Sequence, residues 1–271
     1  MTTIFGVPLQ ALWGQLLVGL INGSFYALLS LGLAIIFGLL RVINFAHGAQ
    51  YMLGAFTALL LLTVGGVNYW LALILAPLIV GLFAAVIERT MLSRLYKLDH
   101  LYGLLFTFGL ALAIEGTFRY FFGASGKPYA PPAQLTGAVN LGFMFLPIYR
   151  GWVVIASLVM CIAVWLLIEK TKLGAYLRAA TENPVLVQAF GVNVPLLLTL
   201  TYALGAGLAG FAGVLAAPIY QVSPLMGTNL IIIVFTVVAK VFYPEASNIV
   251  IFVIMAIVLI LRPAGLFGKD A

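Results

Sequence analysis

Long apolar blocks, each near the length of a membrane crossing, alternate with short polar connections along almost the whole chain. A helix needs about 20 mostly apolar residues to cross the hydrocarbon layer of a bilayer. On that measure residues 12–40, 45–64, 69–87, 101–122, 152–168 and 194–217 predict membrane helices, the first long enough to tilt or to break. Two later blocks, 230–242 and 249–261, are short for a crossing. The pattern predicts an all-α, polytopic transmembrane helical bundle of roughly seven to nine spans, with residues 1–271 forming a single transmembrane domain.

Composition sharpens this. Apolar residues make up 64% of the chain and charged residues 7%, where a soluble fold carries about 25% charged residues to keep its surface wet. The net charge of +6 does not indicate nucleic acid, because the basic residues sit in connections between apolar blocks. There they set orientation. Residues 88–100 hold Arg89, Arg94 and Lys97, and residues 169–191 hold Lys170, Lys172 and Arg178, so both connections read as cytoplasmic. Residues 123–150, rich in Gly and Pro, and the uncharged 218–227 read as the outer face. Residues 1–10 lack the basic region and cleavage site of a signal peptide, so the first block is expected to remain as a span. Alternation fails near the end: the block 230–242 carries Lys240, and the last span would deliver Arg262 and Lys269 to the outside.

Polar groups inside spans are costly and therefore informative. Asn22, Ser24 and Tyr26 lie in the first block, and Asn44 and His47 lie where the first meets the second. Glu115 and Arg119 share a helix face at i, i+4 and suit a structural ion pair. Glu88 and Arg89, at a span end, are expected to snorkel to the interface. The glycines at 19, 23, 32 and 38 and the run 205, 207, 210, 213 suit close helix packing, or interrupted helices lining a path. No enzyme constellation is visible. The only histidines, His47 and His100, have no carboxylates at metal-ligand spacing, and the single Cys161 lies in an apolar block. No cofactor is called for. With no glycine-rich phosphate loop, any ATP hydrolysis belongs to another subunit.

The connection from Gly174 to Val194 is the most specific stretch. Thr181, Glu182, Asn183 and Pro184 read as a helix start, with Thr181 as the capping hydroxyl. Val185, Gln188, Ala189 and Val192 recur at helical spacing, and Gly191 and Asn193 stop the run. A short amphipathic helix in a cytoplasmic connection suits insertion into a partner's groove. The alternative is a helix lying on lipid, for which the polar face has few Lys or Arg.

Together these strings resemble the inner-membrane permease subunits of bacterial branched-chain amino-acid ABC importers, more the first than the second of the two permeases. The resemblance rests on Leu20-Ile-Asn-Gly-Ser-Phe-Tyr-Ala-Leu28, Asn44-Phe-Ala-His-Gly48, Arg178-Ala-Ala-Thr-Glu-Asn183, Ala189-Phe-Gly-Val-Asn193, Tyr243-Pro-Glu-Ala246 and Arg262-Pro-Ala-Gly-Leu-Phe-Gly268. It implies a second permease subunit in a heterodimer, two cytoplasmic ATPase subunits, a periplasmic substrate-binding protein, and a place in the bacterial inner membrane. It implies that Arg178, Glu182, Asn183, Gln188, Gly191 and Asn193 couple to an ATPase subunit, and that Asn22, Tyr26, Asn44 and His47 lie near the translocation path. The chain departs from the family between Val238 and Val241, where a glycine-rich stretch and a further crossing are expected. Restoring that crossing would bring the C-terminus inside. A secondary transporter driven by an ion gradient would instead bury paired ionisable groups near mid-membrane, with Glu115 and Arg119 the only candidates. An integral-membrane enzyme suits the sequence least.

Overall fold

The computed structural model describes residues 3–4, 7–40, 44–96, 98–142 and 144–227. The expectations for 230–242, 249–261, Lys240, Arg262, Lys269, the junction at Val238–Val241 and the two last family strings lie outside the described residues. Helix α1 (Leu9–Leu40) is one continuous helix of 32 residues, so the first block does not break. At about 1.5 Å per residue it is about 48 Å long, enough to cross with tilt. Helix α2 (His47–Thr63) follows a turn at Phe45 and Ala46. Helix α3 (Tyr69–Ile87) starts where the Asn68 side chain accepts a hydrogen bond from the Leu71 amide. It runs on through a π-helical turn at Glu88–Leu92 into the short α4 (Ser93–Leu95).

Helix α5 (His100–Phe122) is capped by Asp99 and ends at Gly123, whose φ of 76° lies in the region that favours glycine. A small hairpin pairs Ala138–Asn140 with Phe145–Pro147 ahead of α6 (Ile148–Lys170). Then come α7 (Lys172–Glu182), α8 (Pro184–Ala189) and α9 (Val194–Tyr220). The chain divides after Pro224, and α1 to α9 all belong to the first unit. Among the described residues five helices are long and apolar enough to cross a membrane: those at Leu12–Gly38, Tyr69–Leu95, His100–Phe122, Ile148–Lys170 and Val194–Tyr220. The fold is an all-α polytopic bundle, as the pattern predicts.

Helix α9 is the hub. Of its apolar window 67% is buried, against at most 39% for the other four. Helices α1, α2 and α3 pack around it. Glycine permits this approach. A Cβ at Gly205 would meet the Gly32 carbonyl oxygen of α1 at 2.7 Å, and one at Gly54 of α2 would meet the backbone of Gly210. Gly213 likewise faces the backbone of Tyr51 and Ala55. The run 205–213 therefore packs helices backbone to backbone, the first of its two sequence readings. Gly19, Gly23 and Gly38 face open space within the chain.

The pairings fix directions. Gly32 with Gly205, and Asn22 with Tyr220, set α1 antiparallel to α9. Gly81 beside Ala203 and Glu88 beside Thr199 set α3 antiparallel to it as well. Gln50 with Tyr202, and Gly54 with Gly210, set α2 parallel to α9. The segments read as outer also meet: Lys127 and Val222 exchange backbone hydrogen bonds of 2.7 and 2.9 Å.

Candidate translocation core and docking face

Helix α2 does not start at the membrane edge. His47 lies beside Gly32 and Leu29 of α1, at the level of Gly205. Gly205 lies about 16 Å along the axis from the start of α9 at Val194. The second block, expected to cross whole from 45, thus begins with a non-helical turn deep in the bundle. Backbone of that kind is tolerated at membrane depth only where protein or water satisfies it.

Here protein does so. Asn44, His47 and Gln50 are all buried. The Asn44 Oδ1 accepts from the Ala46 amide at 3.1 Å, and its Nδ2 donates to Gln50 Oε1 at 3.2 Å. The Gln50 Nε2 donates to the Tyr202 hydroxyl of α9 at 3.1 Å, and the Phe45 amide donates to Thr107 Oγ1 of α5 at 3.3 Å. The His47 Nε2 lies 3.0 Å from the Leu29 carbonyl oxygen; a carbonyl can only accept, so Nε2 carries the hydrogen. Asn44 and His47 therefore fasten α2 to α1 and α9. Sequence reasoning missed Gln50, whose signal was an amide inside an apolar block three residues after His47.

Asn22 and Tyr26 stand apart from this knot. Leu29, which binds His47, is about 10 Å along α1 from Asn22. Both are half-buried near the outer end of α9, where the Tyr220 hydroxyl donates to Asn22 Oδ1 at 2.8 Å. Phe25 packs on the Tyr220 ring at 5.9 Å, and the phenols of Tyr26, Tyr51 and Tyr220 lie within electrostatic reach of one another. The four path candidates are thus two pairs, one in the bundle and one on its outer half. Beyond them the ends of α3 and α6 meet in an aromatic girdle. The Tyr149 hydroxyl donates to the Leu215 carbonyl at 2.9 Å, and Trp152 Nε1 donates to the Tyr69 hydroxyl at 3.2 Å. Amphipathic aromatics of this kind favour the membrane–water boundary. In the outer connection, burial pushes the Tyr129 phenol up to about 12, with Tyr69 adding to it, so it stays neutral in the cell.

At the opposite end the snorkelling expectation for Glu88 fails. Its side chain is 1% exposed. One carboxylate oxygen accepts from the Tyr96 hydroxyl at 2.8 Å and the other from Thr199 Oγ1 at 2.6 Å. The π-helical turn widens the end of α3 there, and the two hydroxyls supply the hydrogen bonds that water would otherwise give. Arg89 is exposed, as expected.

The connection from Glu169 to Gly191 holds two helices. The helix start falls at Asn183, not Thr181: Asn183 Oδ1 accepts from the Leu186 amide at 3.0 Å, while Thr181 sits in the last turn of α7. Pro184 explains the shift, because the residue before a proline is pushed out of the helical region. One residue of α8 faces the bundle. Val187, rather than Val185, Gln188 or Ala189, is buried, against Ala180, Val194 and Leu197.

Of the six coupling candidates, Arg178 binds the Ile168 carbonyl at 2.8 Å and lies 3.6 Å from Glu169, clamping α7 to the end of α6. Asn183 and Asn193 are caps, of α8 and α9, and Gly191 turns the chain at φ 83°. Glu182 and Gln188 are exposed. Val185, part of the run read from the sequence, is 74% exposed; sequence reasoning missed its apolar neighbours on this surface, Leu186 at 53% and Phe190 at 79% exposure.

The sequence profile of the family described as "Branched-chain amino acid transport system / permease component" matches residues 15–261. The chain belongs to this permease family. It is a transport protein and a multi-pass protein of the bacterial inner membrane. Among similar proteins is the high-affinity branched-chain amino acid transport system permease protein BraD of Pseudomonas aeruginosa, 29% identical over 94% of this chain and 95% of the relative. The probable branched-chain amino acid transport permease protein LivH of Methanocaldococcus jannaschii is 29% identical over 80% of this chain and 70% of that protein. LivH of Escherichia coli K12, a high-affinity permease protein by its name, is 25% identical over 79% and 73%. The match to BraD runs over 299 positions, more than the 271 residues of this permease, so BraD holds stretches with no counterpart here. No solved structure matches the chain.

Proposed function

We propose that this permease is one half of the gate of an ABC importer that brings branched-chain or related hydrophobic amino acids into the cytoplasm. In this reading a second permease subunit completes the gate, two cytoplasmic ATPase subunits drive it, and a periplasmic binding protein delivers the substrate. The observation that carries it is the apolar surface on and just beyond α8. Val185, Leu186 and Phe190 project into solvent from a helix held by caps at both ends, on the face away from the bundle. Exposed aromatic and aliphatic side chains on a rigid support are the anchors that fill a partner's pocket.

Nucleotide-driven closure of the ATPases would move α8, and with it the start of α9 on which Val187 rests. A ligand or partner shifts a two-state gate only as far as it favours one state over the other. Substrate would descend along the outer-half surface of Asn22, Tyr26 and Tyr220. Its amino and carboxylate groups would find amide and phenol partners there.

Phe190→Glu tests the docking surface. Purification through a tag on this permease is expected to recover at least about tenfold less ATPase with the variant than with the wild type, at equal permease in the membrane. Equal ATPase recovery would overturn the assignment.

A further inference from the structure

We infer that Glu88 is a positioning residue of the transport cycle: its carboxylate links the docking face to the polar knot at the start of α2. The role rests on the importer reading given above. Between Val194 and Tyr202, α9 carries three sets of contacts in order. Val194 and Leu197 pack under Val187 of α8. Two residues beyond Leu197, Thr199 donates to Glu88 at 2.6 Å. Tyr202, 1% exposed, then accepts from Gln50, which in turn accepts from Asn44. Glu88 is bonded at the same time by Tyr96, just beyond α4, so one carboxylate joins three segments: the end of α3, the turn after α4, and α9. Leu92, Tyr96 and Tyr202 also belong to one apolar cluster that continues through Ile36 and Val80.

A carboxylate is an expensive choice for such a place. Among the described residues no Lys or Arg pairs with Glu88; Arg178 pairs with Glu169 instead. Apolar packing serves stability as well as, or better than, a buried charge. What its two carboxyl oxygens add is a pair of acceptors that hold donors from different elements in one geometry. Such a set of bonds is either made or broken, which suits an element with two discrete arrangements. Its position at a π-helical turn, where the helix ladder is already interrupted, lets the inner end of α3 change register with α9 without unfolding. Movement of α8 therefore reaches the turn before α2 through Thr199 and Tyr202 only while Glu88 holds the inner ends of the helices together.

The test uses the complete transporter, purified through a tag on this permease and placed in liposomes with its binding protein. Substrate imported and ATP hydrolysed are measured together. Thr199→Val keeps the shape and removes the donor; Glu88→Gln keeps the shape and removes the charge. Both are expected to lower substrate imported per ATP by about tenfold while ATP hydrolysis stays within about threefold, a loss the size of one charge-assisted hydrogen bond. Thr199→Ser, which keeps the hydroxyl, is expected to restore the ratio to within about twofold. An unchanged ratio in Thr199→Val and Glu88→Gln overturns the role, as does a parallel fall of uptake and hydrolysis that Thr199→Ser does not correct. If Glu88→Gln does not assemble, the Thr199 pair decides alone. Absence of any ATPase from the wild-type preparation overturns the importer reading and this role with it; working wild-type transport with unaltered variants overturns this role only.

Discussion

A methyl group added at Gly54 would land on the backbone of Gly210, where no rotamer can yield. The same addition at Gly19 would meet nothing within 4 Å. Gly54→Ala is therefore expected to cost about 1–3 kcal/mol or more through overpacking, read as a lower thermal midpoint of the purified protein. Gly19→Ala is expected to leave the midpoint unmoved, and equal midpoints would refute the backbone seam. The sequence announced that small residues recur along α1 and α9, but not which of them meet, because helix faces pair through tertiary packing rather than spacing. Glu88 shows the same limit from the polar side. Its place at a span end made the interface the cheaper destination, whereas its partner Thr199 lies 111 residues away. A hydroxyl at that distance along the chain leaves no local trace.

Among the elements, the long helices were legible because an apolar run of membrane length has few other structures open to it. The second block was misread in one respect. Its apolar content predicts a full crossing from 45, while the depth at which α2 starts is set by what Asn44 and His47 bind on α1. The docking connection was legible as a helix but not in its phase, since Thr181 and Asn183 are both capping residues and Pro184 chose between them. Asn183→Ala removes that cap, at about 1 kcal/mol. Amide hydrogen exchange over 184–190 is expected to rise about fivefold, and Asn183→Asp, which keeps an acceptor, should leave it near the wild-type rate. Equal exchange in both variants would show that tertiary packing, not the cap, holds α8.

For the molecule as a whole, charge placement predicts two faces; Lys127 and Val222, both in connections read as outer, meet at one end of the bundle, while Glu88 and Thr199 meet at the other. A labelling experiment tests the sides. With Cys161 replaced by Ser, Val139→Cys, at a position 50% exposed in the hairpin, is expected to react with a membrane-impermeant maleimide in intact cells. Val185→Cys, at a position 74% exposed, is expected to react only after the membrane is opened. The reverse order would invert the topology and remove α8 from the reach of any cytoplasmic ATPase.

One consequence follows from the glycine run of α9. Where side chains separate two helices, rotamers can absorb part of a displacement; where main chains touch, nothing soft lies between. With the inner ends held together by Glu88, a push applied near Val194 should therefore arrive at Tyr220 with little loss. Natural variation in cargo would then be written around Asn22 and Tyr26, leaving the stiff seam untouched.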